Sequence, residues 1–462
     1  MSGSRSGRLG TRSGRLAGWL ARWQPVLPIL VAEFMAMVGF GALLPILPLY
    51  VTEQGVDPAT LGIIVAAWPG ARLVAEPFFG WLADRTSRRP LMVAGMVVLG
   101  VSLLLPLLFR GAVELFLWRV LGGLGAAMYD PAARGYLVDA THEGERGQVF
   151  GLYQAAAMGG IVGGPAIAAL GAEVWAGFAF PFAFGGLMCL AAGAYVAVAL
   201  VPRPLRPGQR SGPGRAPIAE TSFAEYGSDS PEVAARWAAE LERDAPRSGP
   251  SAGTGQAPAV APLRTLLNRS FGAAVLMNFG LYLAIGVYEV VWSLFMRGLG
   301  ASVSWIGVSF VLFGLPILLL SPIGGRLVDR FGGLPFALVG GASVAVAGVV
   351  YTFSSEPVFP AVVGVFEASA TAFLGPAIFA ILAAGTPAGR SSTTQGLFGA
   401  TGTLAFIVSS LVGGALLAVD VRYPFYFFAA ATSACFALGW LILRGATPPR
   451  ASRDLTGAPS SG

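Results

Sequence analysis

Twelve apolar runs, each long enough to cross a bilayer, divide this chain of 462 residues. They fall at 25–51, 60–83, 90–110, 113–139, 147–171 and 176–201, then, after a long polar gap, at 268–298, 303–327, 334–354, 358–385, 391–419 and 423–444. A hydrocarbon core about 30 Å thick is spanned by about 20 helical residues. Inside lipid there is no water to bond the backbone, so each run must satisfy its own N–H and C=O groups as a helix. The pattern predicts an all-α membrane protein of twelve transmembrane helices. Composition agrees: 12% of residues are charged and mean hydropathy is +0.69, whereas a soluble domain carries roughly 25% charged residues. Prolines 45, 48, 77, 106, 131, 165, 316, 322 and 376 fall inside the runs and are expected kink points.

The two sets of six runs are copies. At a constant offset of 245, Leu61-Gly62 matches Ile306-Gly307, Pro77 matches Pro322, and Gly80-Trp81-Leu82-Ala83-Asp84-Arg85 matches Gly325-Arg326-Leu327-Val328-Asp329-Arg330. Pro90 matches Pro335, Pro131 matches Pro376, and Gly151-Leu152-Tyr153 matches Gly396-Leu397-Phe398. A duplicated six-helix unit is the layout of alternating-access carriers, with the substrate site between the halves near the midplane. The expected division is a basic tail at 1–24, a six-helix bundle at 25–201, a linker at 202–264, a second bundle at 265–444 and a tail at 445–462. Within the linker, Ser230-Pro231-Glu232 followed by Val233, Trp237 and Leu241 has the spacing of a short interfacial helix.

All thirty basic residues are arginine, and they cluster in the tails, the linker and alternate loops. The positive-inside rule therefore expects both termini in the cytoplasm and a cell-membrane location. The net charge of +6 follows from this placement and implies no nucleic-acid partner. Trp19 and Trp23 are expected as interfacial anchors. Cys189 and Cys435 lie in apolar runs without a partner at metal-ligand spacing and read as small buried hydrophobes. The lone histidine, His142, is expected in a solvent-exposed loop. No metal or other cofactor is implied.

Several segments carry polar chemistry into the membrane. Gly80-x-Leu82-Ala83-Asp84-Arg85-x-Ser87-Arg88-Arg89-Pro90 combines a small residue for close helix contact, an acid suited to a helix N-terminus, and arginines that can pair with Asp84 or Asp139. The fourth run holds Arg119 ahead of Gly122-Gly123-x-Gly125. A charged residue inside the membrane is expensive and marks a candidate functional site. The first run ends in Pro45-Ile46-Leu47-Pro48, and the fifth contains Gly160-Ile161-Val162-Gly163-Gly164-Pro165. Together these resemble the signatures of the major facilitator superfamily, and within it the twelve-helix drug:proton antiporter group. The resemblance covers nearly the whole chain except the tails and the linker. It implies two pseudo-symmetric six-helix bundles and a cytoplasmic latch built from Gly80, Asp84, Arg85, Arg88 and Asp139, with a second copy at Asp329 and Arg330. It further implies a role for Arg119 in proton transfer, and an antiporter bend at Gly160, Gly164 and Pro165 associated with export. The family usually has glycine at the positions of Ser87, Ala168 and Ala169.

Glu33 is the first candidate for the coupling carboxylate. It sits about 12 Å into the first run at 1.5 Å per residue, and its repeat partner is Asn278. A carboxyl group away from water can hold either a proton or a cationic ligand, and that competition is a simple antiport coupling. Glu367 and Glu289 follow, the latter with a solvated outer face as the competing expectation. Arg119 is expected nearer the outer side than Glu33, without a direct pair between them. Arg72 with Glu76, and Asp130 with Arg134, read as ion pairs within single helices, with a coupling role left open for Asp130. Phe34, Tyr129, Tyr153, Tyr282, Tyr288, Trp292 and Phe373, with Asn278, are candidates to line an apolar, cation-tolerant cavity.

The leading expectation is a proton-coupled exporter of hydrophobic or cationic small molecules that works as a monomer. Its partners are then its substrate, protons and the lipid bilayer. A dedicated exporter or importer of one metabolite is the competitor of the same class. A non-transporting receptor or scaffold is the competitor of another class, disfavoured because a scaffold has no use for charge at the midplane. An enzyme is not expected. The sequence has no HExxH, no GxSxG with triad candidates and, lacking lysine, no Walker motif.

Overall fold

The computed structural model describes residues 23–141, 146–175, 177–200, 265, 267–387 and 391–444. Trp19, His142, the expected helix near 230–241 and most of the tails and linker lie outside the described residues. The described chain is helical throughout, with no strand. Twelve helices are long and apolar enough to cross a membrane: α1 (Leu27–Glu53), α2 (Pro58–Ala83), α3 (Arg88–Leu107), α4 (Ala112–Ala140), α5 (Gln148–Val174), α6 (Ala179–Ala199), α7 (Arg269–Gly298), α8 (Val303–Phe331), α9 (Gly333–Tyr351), α10 (Val358–Ala384), α11 (Thr394–Leu417) and α12 (Tyr423–Arg444).

Proline acts unevenly. The α1 ladder breaks between Leu43 and Leu47, where Pro45 and Pro48 withhold two N–H groups. Pro106 ends α3 in a 3₁₀ turn, and its carbonyl accepts from the Tyr50 hydroxyl at 2.8 Å. Pro77, Pro131, Pro165, Pro316, Pro322 and Pro376 remain inside continuous helices. Aspartate and serine cap two of the helix starts that face away from the termini. Asp57 caps Ala59 and Thr60 at the head of α2, and Ser302 caps Trp305 at the head of α8. Three bonds to Thr60 and Ala59 hold the exposed Asp57 carboxyl below its usual range.

The packing repeats with the sequence. Helix α1 lies on α5 and α6 as α7 lies on α11 and α12; α4 packs on α2 and α3 as α10 packs on α8 and α9. Small residues permit the approach. A Cβ on Gly160 would lie 2.6 Å from the Phe34 carbonyl, and one on Gly164 would lie 2.4 Å from that of Val38. The α5 motif is therefore where α1 and α5 touch backbone to backbone. Gly80 is different: its nearest neighbour, Pro131, is 3.8 Å away, so the close contact expected there is absent. Ser87 has φ −66°, which any residue adopts. Its repeat partner, Gly332, has φ 84°, so only the second half needs glycine in this turn. Cys189 is buried and Cys435 half-buried, and both are free. Trp23 is buried at 3% exposure instead of anchoring at the interface. A turn bond from Val26 N–H to its carbonyl, 2.9 Å, folds it back against the first bundle.

The halves meet mainly along α2 with α11 and α5 with α8. Both seams are tight near the ends remote from the chain termini, and they are the same seam twice. A Cβ on Gly62 would come within 2.4 Å of the Ser410 carbonyl, and one on Gly307 within 2.7 Å of the Pro165 carbonyl and 2.3 Å of Ala169 Cβ. Ser410 is Pro165 shifted by 245, and Gly414, which also touches Gly62, is Ala169 shifted likewise. Toward the face carrying the termini the same four helices lose this contact: a Cβ on Gly151, Gly325, Gly396 or Gly399 would meet nothing within 4 Å, and one on Gly80 only Pro131 of its own half at 3.8 Å. The bundle is closed at one face and parted at the other. Overpacking such a contact costs about 1–3 kcal/mol. Gly62→Ala and Gly307→Ala are each expected to shift the population about 5- to 150-fold toward the state open at the remote face. Reactivity of a cysteine placed between the seams, measured in sealed vesicles, checks this.

Candidate functional site

Charged and polar side chains gather at four places between and within the halves. Nearest the closed face, Arg119 of α4 meets Glu289 of α7 at 3.1 Å. This is an ion pair across the two halves. A second Arg119 N–H reaches the Val65 carbonyl at 3.3 Å, and the guanidinium stands 5.9 Å from the Trp68 ring centre. Arg119 is 8% exposed and the Glu289 side chain 11%. The alternative of a solvated Glu289 is thereby overturned. The expectation that Arg119 would not pair directly with Glu33 holds, because its partner comes from the other half.

The second cluster ties α2 to α4 in the first half. The Arg72 guanidinium donates to Asp130, in very short contact, and lies 3.5 Å from Glu76. Arg134 is 3.8 Å from both Glu76 and Asp130. These four residues form one cross-helix network, which corrects the reading of two separate pairs within helices. Sequence spacing shows only neighbours on one helix; the cross pairing depends on α2 and α4 lying side by side. Trp68 offers its ring to Arg72 at 4.9 Å. Trp68 was not singled out from the sequence, although a tryptophan four residues before an intramembrane arginine shares its helix face.

The remaining two carboxylates have no cation at ion-pair distance among the described residues. Glu33 is 3% exposed and accepts from the Tyr153 hydroxyl at 2.8 Å. Tyr129 stands against the same carboxylate without an aligned hydrogen bond. Its repeat partner Asn278 donates to the Phe398 carbonyl at 3.0 Å. Tyr153 and Phe398 are themselves partners at offset 245, so the contact is conserved and its chemistry is not. Glu367, also 3% exposed, accepts from Tyr288 at 2.8 Å and Tyr351 at 2.5 Å. Tyr351 was missed in the sequence. Its signal was a lone phenol in an apolar run, since a buried tyrosine hydroxyl usually finds a partner.

The cavity candidates divide. Tyr282 is 36% exposed on α7, against Gly402, and within electrostatic reach of Arg72 and Arg134 in the other half. It therefore faces the gap between the halves. Phe34 is also exposed, beside Gly159. The others belong to packing. Tyr129, Tyr153 and Asn278 are buried inside the halves. Trp292 is buried and donates to Ser309 at 2.9 Å, and Tyr288 sits among Trp292, Phe313, Tyr351 and Phe428. Phe373 stacks on Phe336 at 5.9 Å. These rings lie in the second half because α7, α9, α10 and α12 turn their apolar faces on one another.

The loop after α2 is held within the first half. Arg88 reaches Asp139 at 2.9 Å and Asp84 at 3.7 Å, and its guanidinium occupies the space left by Gly135. Arg89 donates to the Ala197 carbonyl, and Arg85 lies 4.1 Å over Trp81. Asp84 ends α2 and does not face a foreign helix start. The second copy lacks this pair: the partners of Arg88 and Asp139 are Gly333 and Ala384, and Arg330 lies over Phe331. Among the described residues no group of three or more His, Cys, Asp or Glu is placed to hold a metal.

Twelve membrane-spanning helices in two like halves, joined by a buried ion pair, define a polytopic transport protein. The model of the Major Facilitator Superfamily matches residues 29–288 and 274–461, and the chain belongs to that family. It is 30% identical over 155 residues to the quinolone resistance protein NorA of Staphylococcus aureus, covering 34% of this chain and 39% of that protein. It is 31% identical over 159 residues to multidrug resistance protein 2 of Bacillus subtilis, again 34% and 39%. The chain thus matches about two fifths of the length of these curated relatives. Among solved structures, the nucleoside transporter NupG superposes with a TM-score of 0.66 at 12% identity, over 91% of this chain and 99% of that one. The human organic anion transporter MFSD10 (TETRAN) gives 0.59 at 18%, over 90% and 99%.

Removing one partner of a buried ion pair costs about 3–5 kcal/mol, while replacing both by apolar residues is often neutral. Glu289→Ala is expected to lower thermal stability clearly, and Arg119→Met with Glu289→Met to restore most of it. If the pair also serves transport, the restored double variant still fails to move substrate. Thermal unfolding and flux measured on the same preparations separate the two effects.

Proposed function

We propose that this protein exports hydrophobic or cationic small molecules from the cell by proton antiport and alternating access. One observation carries the reading: Glu33, 3% exposed inside the first half, accepts from a phenol hydroxyl and has no arginine at ion-pair distance among the described residues. Such a carboxylate is free to exchange a proton for a cationic ligand, whereas Asp130 and Glu289 are already neutralised by arginine. The arginine bias puts the parted face in the cytoplasm, where an exporter collects its cargo. Tyr282 and Phe34 would meet that cargo, and the acidic face of Glu33 would hold its charge. Proton entry from the other side would then release it.

Glu367 is the second coupling carboxylate in this scheme, and the Arg119–Glu289 pair holds the outer side shut until the halves rock. On rocking, the loop bearing Asp84, Arg85 and Arg88 meets the second half as a latch. The tight α1–α5 contact at Gly160 and Gly164, with Pro165 at the seam, keeps α5 rigid through the motion. Two relatives named for quinolone and multidrug resistance favour a broad, drug-like substrate range. The protein is read as residing in the cell membrane, with both termini inside, and acting as a monomer.

The test is efflux from cells lacking other pumps, over a panel of lipophilic cations and neutral drugs, with and without a protonophore. A charge-assisted contact is worth about 1.5–3 kcal/mol, so Glu33→Gln is expected to cut efflux of cations about ten- to hundredfold. It should spare neutral substrates more and flatten the pH dependence. Absence of protonophore-sensitive efflux across the panel rejects the proposal, and vesicles of known orientation fix the direction.

A further inference from the structure

We infer that Tyr288 and Glu289, consecutive residues of α7, couple proton loading of Glu367 to the ion pair joining the two halves. The inference rests on the reading above that Glu367 exchanges protons. Successive residues of a helix point about 100° apart, and here the two directions differ in kind. Tyr288 points into the second half and donates to Glu367 of α10 at 2.8 Å. Glu289 points across the interface to Arg119 of α4 at 3.1 Å. One turn of α7 thus touches a lone carboxylate on one side and the opposite half on the other.

The groups facing Glu367 are few. Helix α7 supplies Tyr288 and α9 supplies Tyr351. Around them α8 and α12 contribute rings, Phe313, Phe425 and Phe428, and no charge. Facing Glu289 are the Arg119 guanidinium and, through it, the Val65 carbonyl. As a carboxylate, Glu367 accepts from both phenols. Once it takes a proton it becomes a donor as well, so its new O–H needs an acceptor and one phenol must turn from donor to acceptor. Both bonds also lose the charge assistance that makes such contacts roughly twice as strong as neutral ones. The Tyr288 hydroxyl can turn about its C–O bond, but its ring, packed at 5.1 Å from Phe428 and 5.9 Å from Trp292, cannot swing to follow the weakened bond. The change passes to the α7 backbone and reaches Glu289 at the next residue. Loading a proton on Glu367 thereby loosens the bridge to Arg119, and breaking that bridge releases the closed face.

The experiment uses the full chain in lipid nanodiscs, with Cys189→Ala and Cys435→Ala. Spin labels are placed on Val174→Cys and Val419→Cys, exposed positions near the remote ends of α5 and α11, one in each half. Pulsed dipolar spectroscopy reads the distance distribution as pH is titrated. The parent protein should shift its population about tenfold, a usual size for coupling between sites. Glu367→Gln should cut the shift to the part that Glu33 supplies, and Tyr288→Phe should cut it to the same level. Tyr351→Phe, which leaves α7 tied to Glu367, should retain most of it. A parent-like shift in Tyr288→Phe overturns the inference. So does equal loss in Tyr288→Phe and Tyr351→Phe, which marks a purely structural network. If Tyr288→Phe does not fold, Glu289→Gln is the second arm: the inference requires that it also cut the shift to that level, and a parent-like response rejects it. Parent protein without protonophore-sensitive efflux defeats the underlying transport reading. Normal efflux together with an unaltered Tyr288→Phe response defeats only the coupling.

Discussion

A charge that cannot reach water must be answered inside the protein, and this fold answers its charges in two ways. Arg119, Asp130 and Glu289 are answered by opposite charge, whereas Glu33 and Glu367 are answered by phenols. The difference has chemical content. An arginine fixes its carboxylate in the ionised form, and breaking such a pair leaves a bare charge in a medium that penalises it. A phenol hydroxyl can turn, donating to a carboxylate or accepting from the protonated acid. The first kind of contact makes joints, here between α2 and α4 and between the halves. The second kind leaves the carboxyl group able to change state, with a weaker bond to the phenol once it is protonated.

The joints also explain where the molecule is stiff. The cross-half pair lies on the side where the glycine seams are tight, so electrostatic and steric closure coincide. Both seams use backbone contact and no long side chain, which lets helices slide or separate as rigid bodies. At the parted face the glycines of the same helices meet open space, and the loop arginines find their partners within their own half.

Much of this architecture was legible in the sequence because its signals are long. Twelve runs of about 20 apolar residues and an offset repeated over six matches leave little room for another fold. Residues of the site were legible as candidates, since charge in an apolar run is conspicuous. Their partners were not. Arg72 sits one turn from Glu76, so spacing alone assigns it there, but the side-by-side packing of α2 and α4 also brings it to Asp130. Glu289 meets Arg119 only because two helices from different repeats are adjacent, which no local pattern encodes. Aromatic residues were the weakest signal: Trp292 and Phe373 look the same in a sequence whether they line a path or fill a core, and the partner of Tyr351, Glu367, lies 16 residues away on another helix.

The twin positions at offset 245 make the two halves mechanically alike and chemically unequal. At the junction of α1 and α5, Glu33 meets Tyr153; at the junction of α7 and α11, Asn278 meets the backbone of Phe398. An amide bonded to a carbonyl is indifferent to acidity, whereas a carboxyl group is not. Of these two junctions, then, only that of α1 and α5 holds a group whose charge depends on pH. The duplication supplied two like junctions, and divergence left an ionisable group in only one of them.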